Sequence, residues 1–147
     1  MSQLDVARLN DKMADIRESL EALREYARWD EGRFLASKEA IRAARYCFIV
    51  MVEAATAIAT HICARLLRKA PGSYAESFAL LAEGGIIEPA LARRLGRMAG
   101  FRNLLVHGYN KVDDRRMWRI MGSDLADLDA YLEAIAALVA GTRGETE

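Results

Sequence analysis

Residues 37–69 read SKEAIRAARYCFIVMVEAATAIATHICARLLRK, and this stretch decides the fold. Ile41, Ala44, Phe48, Met51, Ala55, Ile58, Ile62 and Leu66 recur at the three-four spacing of one helix face. Around the middle the stretch is apolar on nearly every side, which places it at the centre of a bundle. Ser37 is its N-cap, with Ala40 where a capping box would carry an acid. Pro71-Gly72 stops it soon after Lys69. Tyr46 to Ala64 is the one candidate for a membrane span, but it holds Glu53 and His61 and is rich in alanine and threonine. A core helix is the better reading, and no membrane association is expected.

The flanking segments repeat the helical period. Leu9, Met13, Ile16, Leu20, Leu23 and Ala27 form the seam of a first helix from about Ser2 to Ala27, which Trp29-Asp30-Glu31-Gly32 breaks. Ser73 caps a short helix from Tyr74 to about Ala82, ended by Gly84-Gly85. A longer helix opens at Glu88-Pro89 and closes near Gly108. Asp113-Asp114 begins a short basic helix that ends near Met121-Gly122. Ser123 is the predicted cap of the last helix, whose seam is Leu125, Leu128, Leu132, Ile135 and Val139. With no alternating β-branched run, the prediction is an all-α, up-and-down helical bundle of four main helices plus short ones. Residues 1–141 form one expected domain, and 142–147 an expected frayed tail.

Two cysteines, Cys47 and Cys63, lie sixteen residues apart in one helix, so they cannot bridge within it. Their spacing matches no metal motif. Buried, reduced thiols and a cytoplasmic location are expected. Met1-Ser2-Gln3-Leu4-Asp5 shows no basic segment leading into an apolar one, so no secretory signal is expected.

The formal net charge is zero, but the charges are unevenly placed. Residues 91–119 carry eight Arg or Lys against two Asp, while 120–147 carry one Arg against six acids. Such a local positive field attracts phosphates, although Arg93, Arg94 and Arg97 also read simply as a solvated helix face.

Within this basic region one position breaks the rules of packing. Leu91, Leu95, Met98, Arg102, Leu105 and Tyr109 make a single seam, and Arg102 stands where a hydrophobe belongs. A guanidinium there is costly unless it is paired or opens on a polar cleft. The stretch Arg102-Asn103-Leu104-Leu105-Val106-His107-Gly108-Tyr109 also holds one of only two histidines in the chain. Asn103 and His107, four apart, share a face, whereas Arg102 lies about 140° around the axis from His107. One copy therefore does not bring arginine and histidine around a single atom, but two copies meeting at an interface can. A histidine can take the proton from an RNA 2′-hydroxyl, and an arginine can hold the phosphate and stabilise charge added in the transition state. A second histidine, from the other subunit, would protonate the leaving 5′-oxygen and leave a 2′,3′-cyclic phosphate. That scheme needs no metal or other cofactor, and no Asp/Glu/His cluster, Gly-rich phosphate loop or nucleophile elbow is evident.

Taken with its surroundings, the stretch resembles the R-N-x-L-V-H-x-Y signature of HepT-like proteins in the HEPN superfamily. The resemblance covers roughly residues 40–120. It includes Val52-Glu53-Ala54-Ala55-Thr56-Ala57-Ile58-Ala59-Thr60-His61-Ile62, Pro71-Gly72-Ser73-Tyr74, Phe78-Ala79-Leu80-Leu81, Gly85-Ile86-Ile87 and Met98-Ala99-Gly100-Phe101. It implies a HEPN-like endoribonuclease toxin working as a homodimer on RNA, with no DNA substrate expected. Its partner would be an MntA-like minimal nucleotidyltransferase antitoxin. Carried over, Arg102 and His107 are the catalytic pair, Asn103 the adjoining polar position, and Tyr109 the tyrosine the antitoxin adenylylates. A nucleotide on Tyr109 would block the cleft and set negative charge beside Arg102. The chain departs from the pattern at Thr56, where the family often has an acid; Glu53, one turn earlier, is the candidate to support Arg102, and a solvated or structurally paired glutamate is the plainer reading. His61 matches a recurring family histidine, and on an apolar helix it reads as a satisfied core histidine. Gly108 stands where polar residues are frequent. Because HEPN bundles also resemble helical domains that partner nucleotidyltransferases, a non-catalytic binding module is the alternative.

Overall fold

The structure, a computed structural model, describes residues 4–108 and 113–146, the last four by backbone alone. Among the described residues there are seven α-helices and no strand: α1 (Val6–Ala27), α2 (Glu31–Ala36), α3 (Lys38–Ile62), α4 (Tyr74–Glu83), α5 (Pro89–His107), α6 (Asp114–Ser123) and α7 (Ala126–Thr146). The bundle is the all-α architecture that the periodicity predicts. α3 packs against α1, α4 and α5, while α6 closes over α1 and α2, and α7 over α5 and α1. Phe48, Met51, Ala55, Ile58 and Ile62 of α3 are all buried. α3 with its continuation to Leu67 is long and apolar enough to cross a bilayer, but most of that apolar stretch is covered by the bundle, as in a core helix. Tyr131 of α7 is fully buried and satisfies its hydroxyl by donating to the Ala55 carbonyl at 2.8 Å. Burial pushes its pKa well above the usual phenol value.

Several boundaries follow from side chains that cap the backbone. Ser37 Oγ accepts from Ala40 N–H at 3.1 Å and opens α3 as predicted. Ser73 Oγ accepts from Glu76 N–H, and Glu76 reaches back to Gly72 N–H, so α4 starts on two satisfied donors. Asp113 accepts from the N–H groups of Arg115 and Arg116 at the start of α6.

Four expectations differ from the structure. First, α1 begins at Val6, capped by Asp5, whose carboxylate accepts from Arg8 N–H; Ser2 lies outside the described residues. Second, the segment read as a plain break contains α2. Asp30 accepts from Arg33 N–H at 2.7 Å, and Phe34 buries completely beneath this single turn and a half. Third, Ser123 does not cap the last helix. Its hydroxyl donates to the Arg119 carbonyl within α6, and α7 begins at Ala126 after a turn. Fourth, Gly141 does not end α7, which continues to Thr146; Thr142 is buried and donates to the Leu138 carbonyl, keeping the helical path past the glycine.

A local change of pitch closes α3. Cys63–Leu67 form a π-helical turn, ended by Arg68 in the left-handed region at φ 54°. The wider turn turns Leu66 outward and leaves the next residue, Leu67, packed on the core. Leu67 lies so close to Gly84 that a Cβ there would stand 2.8 Å from its Cδ2, which fixes the start of the turn after α4. Of the two cysteines, both free, Cys63 is buried with its thiol on the Ser77 carbonyl at 3.6 Å, while Cys47 is only half-buried.

His61 is the satisfied core histidine. Its Nε2 accepts the Asp5 N–H at 3.0 Å, joining the start of α1 to the end of α3. Burial lowers its pKa, helped by the charges of Arg65 and Arg8 and opposed by Asp5. The unfolded chain therefore binds a proton at the ordinary histidine value, about 6.5, before the folded chain does. Stability is expected to fall as pH drops from neutral to the lowered folded value, and to receive no further contribution from His61 below it. Urea midpoints measured through that window should show this slope in the wild type and a flatter one in His61→Gln, which keeps an acceptor without titrating.

Candidate active site

α5 supplies the site because α3 and α4 both pack against it. Leu91, Leu95 and Met98 bury along its seam, and one step further Arg102 turns inward with them. Its side chain is only 11% exposed. The charge is met by Glu53 of α3, whose Oε1 accepts from Arg102 Nη2 while the carboxylate stays half exposed to water. Asn103 Oδ1 accepts from Nη1 at 3.1 Å. The guanidinium carbon also stands 5.4 Å from the centre of the Tyr74 ring at the start of α4. Nε is buried and has no acceptor among the described residues.

Electrostatics explains why this arrangement is tolerated. Partial desolvation of Arg102 is offset by an ion pair, a side-chain amide and an aromatic face. Of the five N–H donors of a guanidinium, Glu53 and Asn103 engage one each, so one N–H on each terminal nitrogen remains to bind an oxyanion. Thr56, where the family often has an acid, is buried and donates to the Glu53 backbone carbonyl at 3.0 Å, bracing the turn from which Glu53 projects.

His107 is the last residue of α5 and is exposed. Among the described residues its ring forms no hydrogen bond or ion pair. Gly108 ends the helix by donating to the Leu104 carbonyl at 2.7 Å, and a Cβ on Gly108 would stand 2.5 Å from that oxygen. This closure admits only glycine without a shift of the helix end that carries His107. Asn103 is exposed on the same face as His107 but bonds to Arg102, and so links the two faces of α5. Tyr109 lies outside the described residues.

The structure thus brings together Arg102, Asn103 and Glu53, and leaves His107 outward-facing on the same helix. Tyr74 was not read as a site residue: it entered only within the Pro71–Tyr74 block of the family resemblance, and the packing of α4 on α5 is what delivers it to Arg102. Of the basic residues of α5 and α6, Arg94 pairs with Asp127 at 2.9 Å, Arg115 with Glu31 at 3.6 Å, and Arg116 lies over the Phe101 ring.

A family model described as ribonuclease HepT-like matches residues 16–135. The chain belongs to the HepT-like family. The mRNA nuclease HepT of Shewanella oneidensis is 32% identical over 85 residues, which are 58% of this chain and 64% of that protein. The match thus spans slightly less than two thirds of the relative's length. Among solved structures, an AMPylated HEPN toxin from Shewanella oneidensis in complex with an MNT antitoxin superposes with a TM-score of 0.83 at 24% identity, over 92% of this chain and 99% of that one. A cytosolic protein of unknown function from Bacillus subtilis superposes with a TM-score of 0.84 at 14% identity, over 97% and 95%. At these identities the superpositions establish a shared helical fold.

The exposure of Glu53 decides what loss of Arg102 costs the fold. Because Glu53 remains half in water when its partner is removed, Arg102→Leu should leave the urea midpoint unchanged or raise it. A drop of more than about 1 kcal/mol in unfolding free energy would instead make Arg102 a structural residue.

Proposed function

We propose that this HepT-like protein is a metal-independent endoribonuclease and the toxin of a toxin–antitoxin pair. The observation that carries the reading is Arg102: a guanidinium drawn into a helix seam, fixed by Glu53 and Asn103, and still left with donors for a phosphate. The family and the name of the Shewanella relative support the same activity.

In the proposed mechanism His107 accepts the proton of an RNA 2′-hydroxyl as O2′ attacks phosphorus. Arg102 holds the non-bridging oxygens and stabilises the charge that builds on them. The bond from phosphorus to O5′ breaks, and O5′ takes a proton from His107 of the partner subunit. The products are a 2′,3′-cyclic phosphate and a free 5′-hydroxyl. Asn103 holds Arg102 from the His107 face, and Glu53 is a positioning residue that fixes the guanidinium plane. A homodimer interface is proposed because Arg102 turns into the bundle while His107 faces out, so one copy does not aim both at one phosphate. Adenylylation of Tyr109 by an MntA-like nucleotidyltransferase would silence the site by adding bulk and negative charge; the Shewanella toxin, AMPylated and in complex with an MNT antitoxin, supports this.

Purified protein incubated with total RNA in EDTA should cleave it, and His107→Ala should not. Glu53→Gln should cleave about tenfold more slowly, since a neutral amide holds the guanidinium less firmly. If no form cleaves, intact mass decides: an added adenylyl group on the wild type, absent in Tyr109→Phe, supports a silenced toxin. An unmodified, inactive chain leaves the non-catalytic binding module.

Subunit exchange tests the composite site. Wild-type protein unfolded and refolded with an excess of His107→Ala should lose activity per wild-type subunit, because each mixed dimer keeps only one of the two histidines. An undiminished rate per wild-type subunit from a mixture shown to contain heterodimers would place each complete site within one subunit.

A further inference from the structure

Tyr74 is the feature that the proposed chemistry leaves unused. Large hydrophobic side chains exposed among the described residues include Tyr46, Leu66 and Tyr74, and Tyr74 is the one that stands against Arg102. It occupies the first position of α4, where no preceding helical turn covers it, and it is 37% exposed. An aromatic ring half in water gains little stability from that position. The position beside a phosphate-binding arginine gives it a use, because a nucleobase hangs within one sugar of its own phosphate.

The surroundings suit a nucleotide strand. A groove of about 740 Å³ lies between α4 and α5, and its lining starts at Ala75, the residue after Tyr74, and includes Gly96. A Cβ built on Gly96 would stand 3.4 Å from the Ala75 Cβ, so the two helices approach closely there and the floor is shallow and apolar. Arg93 and Arg97 also line it, as does Glu83, whose charge is met by Lys69. A flat aromatic face, an apolar floor and flanking cations together match the way proteins hold single-stranded nucleic acid.

Building on the ribonuclease reading, we propose that Tyr74 is a specificity-determining residue: its ring stacks on the base of a nucleotide flanking the scissile phosphate and, because larger bases stack more strongly, gives purines a modest advantage beside the cut. The contact with Arg102 makes the ring the fixed wall of the phosphate site, so a base stacked on it also sets the register of the strand. Stacking uses the ring face and not the hydroxyl, and phenylalanine should replace tyrosine without loss.

The test uses Tyr74→Phe and Tyr74→Leu, the second keeping apolar bulk at the head of α4 while removing the π-face; thermal melts verify that both are folded. Binding is measured by fluorescence anisotropy with short RNAs methylated at every 2′-oxygen, which cannot be cut. Cleavage is mapped by sequencing the ends formed from a randomised RNA. Tyr74→Phe should match the wild type in both. Tyr74→Leu should bind about tenfold more weakly, within the range that loss of one stacked base brings, and its cut sites should lose base preference beside the cut. Unchanged affinity in Tyr74→Leu overturns the proposal. So does slower cutting with the same base preference, because that pattern means the ring only props Arg102. Equal losses in both variants also overturn it, since they assign the effect to the hydroxyl. In each of these outcomes cleavage by the wild type keeps the ribonuclease reading intact. A wild type that binds RNA without cutting removes that reading yet leaves the binding comparison to decide Tyr74, and a wild type that neither binds nor cuts ends both.

Discussion

Burial of the middle of α3 is the constraint on which the rest of the molecule depends. From Tyr46 to Ala64 this helix offers apolar or small side chains on nearly every side, and Glu53 is its single Asp, Glu, Lys or Arg. Such a helix cannot lie on the surface, so α1, α4 and α5 must cover it. Covering it fixes where Glu53 emerges, because a carboxylate on a core helix has to reach either water or a cation. It does both. One side of Glu53 stays hydrated and the other receives Arg102 from α5. The pair therefore registers α5 against α3, and with it the helix end that carries His107.

The proposed function and stability pull apart at this one place. A leucine at 102 would complete the seam begun by Leu91, Leu95 and Met98. The arginine is instead supported piecemeal, by Glu53, Asn103 and the Tyr74 ring, and still leaves Nε without an acceptor among the described residues. Each partner comes from a different element or turn, so the guanidinium is held from three sides. Under the proposed function this is preorganisation for anion binding: the donors are fixed before the charge arrives.

The regular part of the fold was legible in the sequence because it is periodic. The seams of α1, α3 and α7 could be read residue by residue, and Arg102 stood out because the period made an expectation that it broke. What was not legible is what lacks a period. α2 is six residues long and buries one side chain, Phe34, too little to form a pattern. The π turn at Cys63–Leu67 shifts the phase by one residue and so moves Leu66, assigned inward by a constant period, to the outside. Ser123 offered the right side chain for a cap but spends it on its own helix. In the candidate site, Arg102, Asn103 and His107 lie within six residues and could be seen together, and Glu53 could be suspected from its place on α3. Tyr74 is 28 residues from Arg102, and only the packing of α4 on α5 unites them.

The position of Asn103 explains how one short motif can serve two directions. Residues 102 and 103 are consecutive on α5, so they point about 100° apart; the first turns into the bundle and the second out beside His107. An amide is long enough to bend back across that angle and accept from the guanidinium, as it does at 3.1 Å. A carboxylate there would compete with phosphate for the arginine and add repulsion toward the substrate; a hydrophobe would leave Nη1 without that partner. Asparagine holds the arginine while adding no net charge. The same helix then ends one residue after the histidine, at a glycine whose lack of a side chain lets the chain close on the Leu104 carbonyl. Arginine inward, amide across, histidine outward and an abrupt stop thus follow from helical geometry and side-chain length alone, and together they set Arg102 and His107 on different faces of one helix.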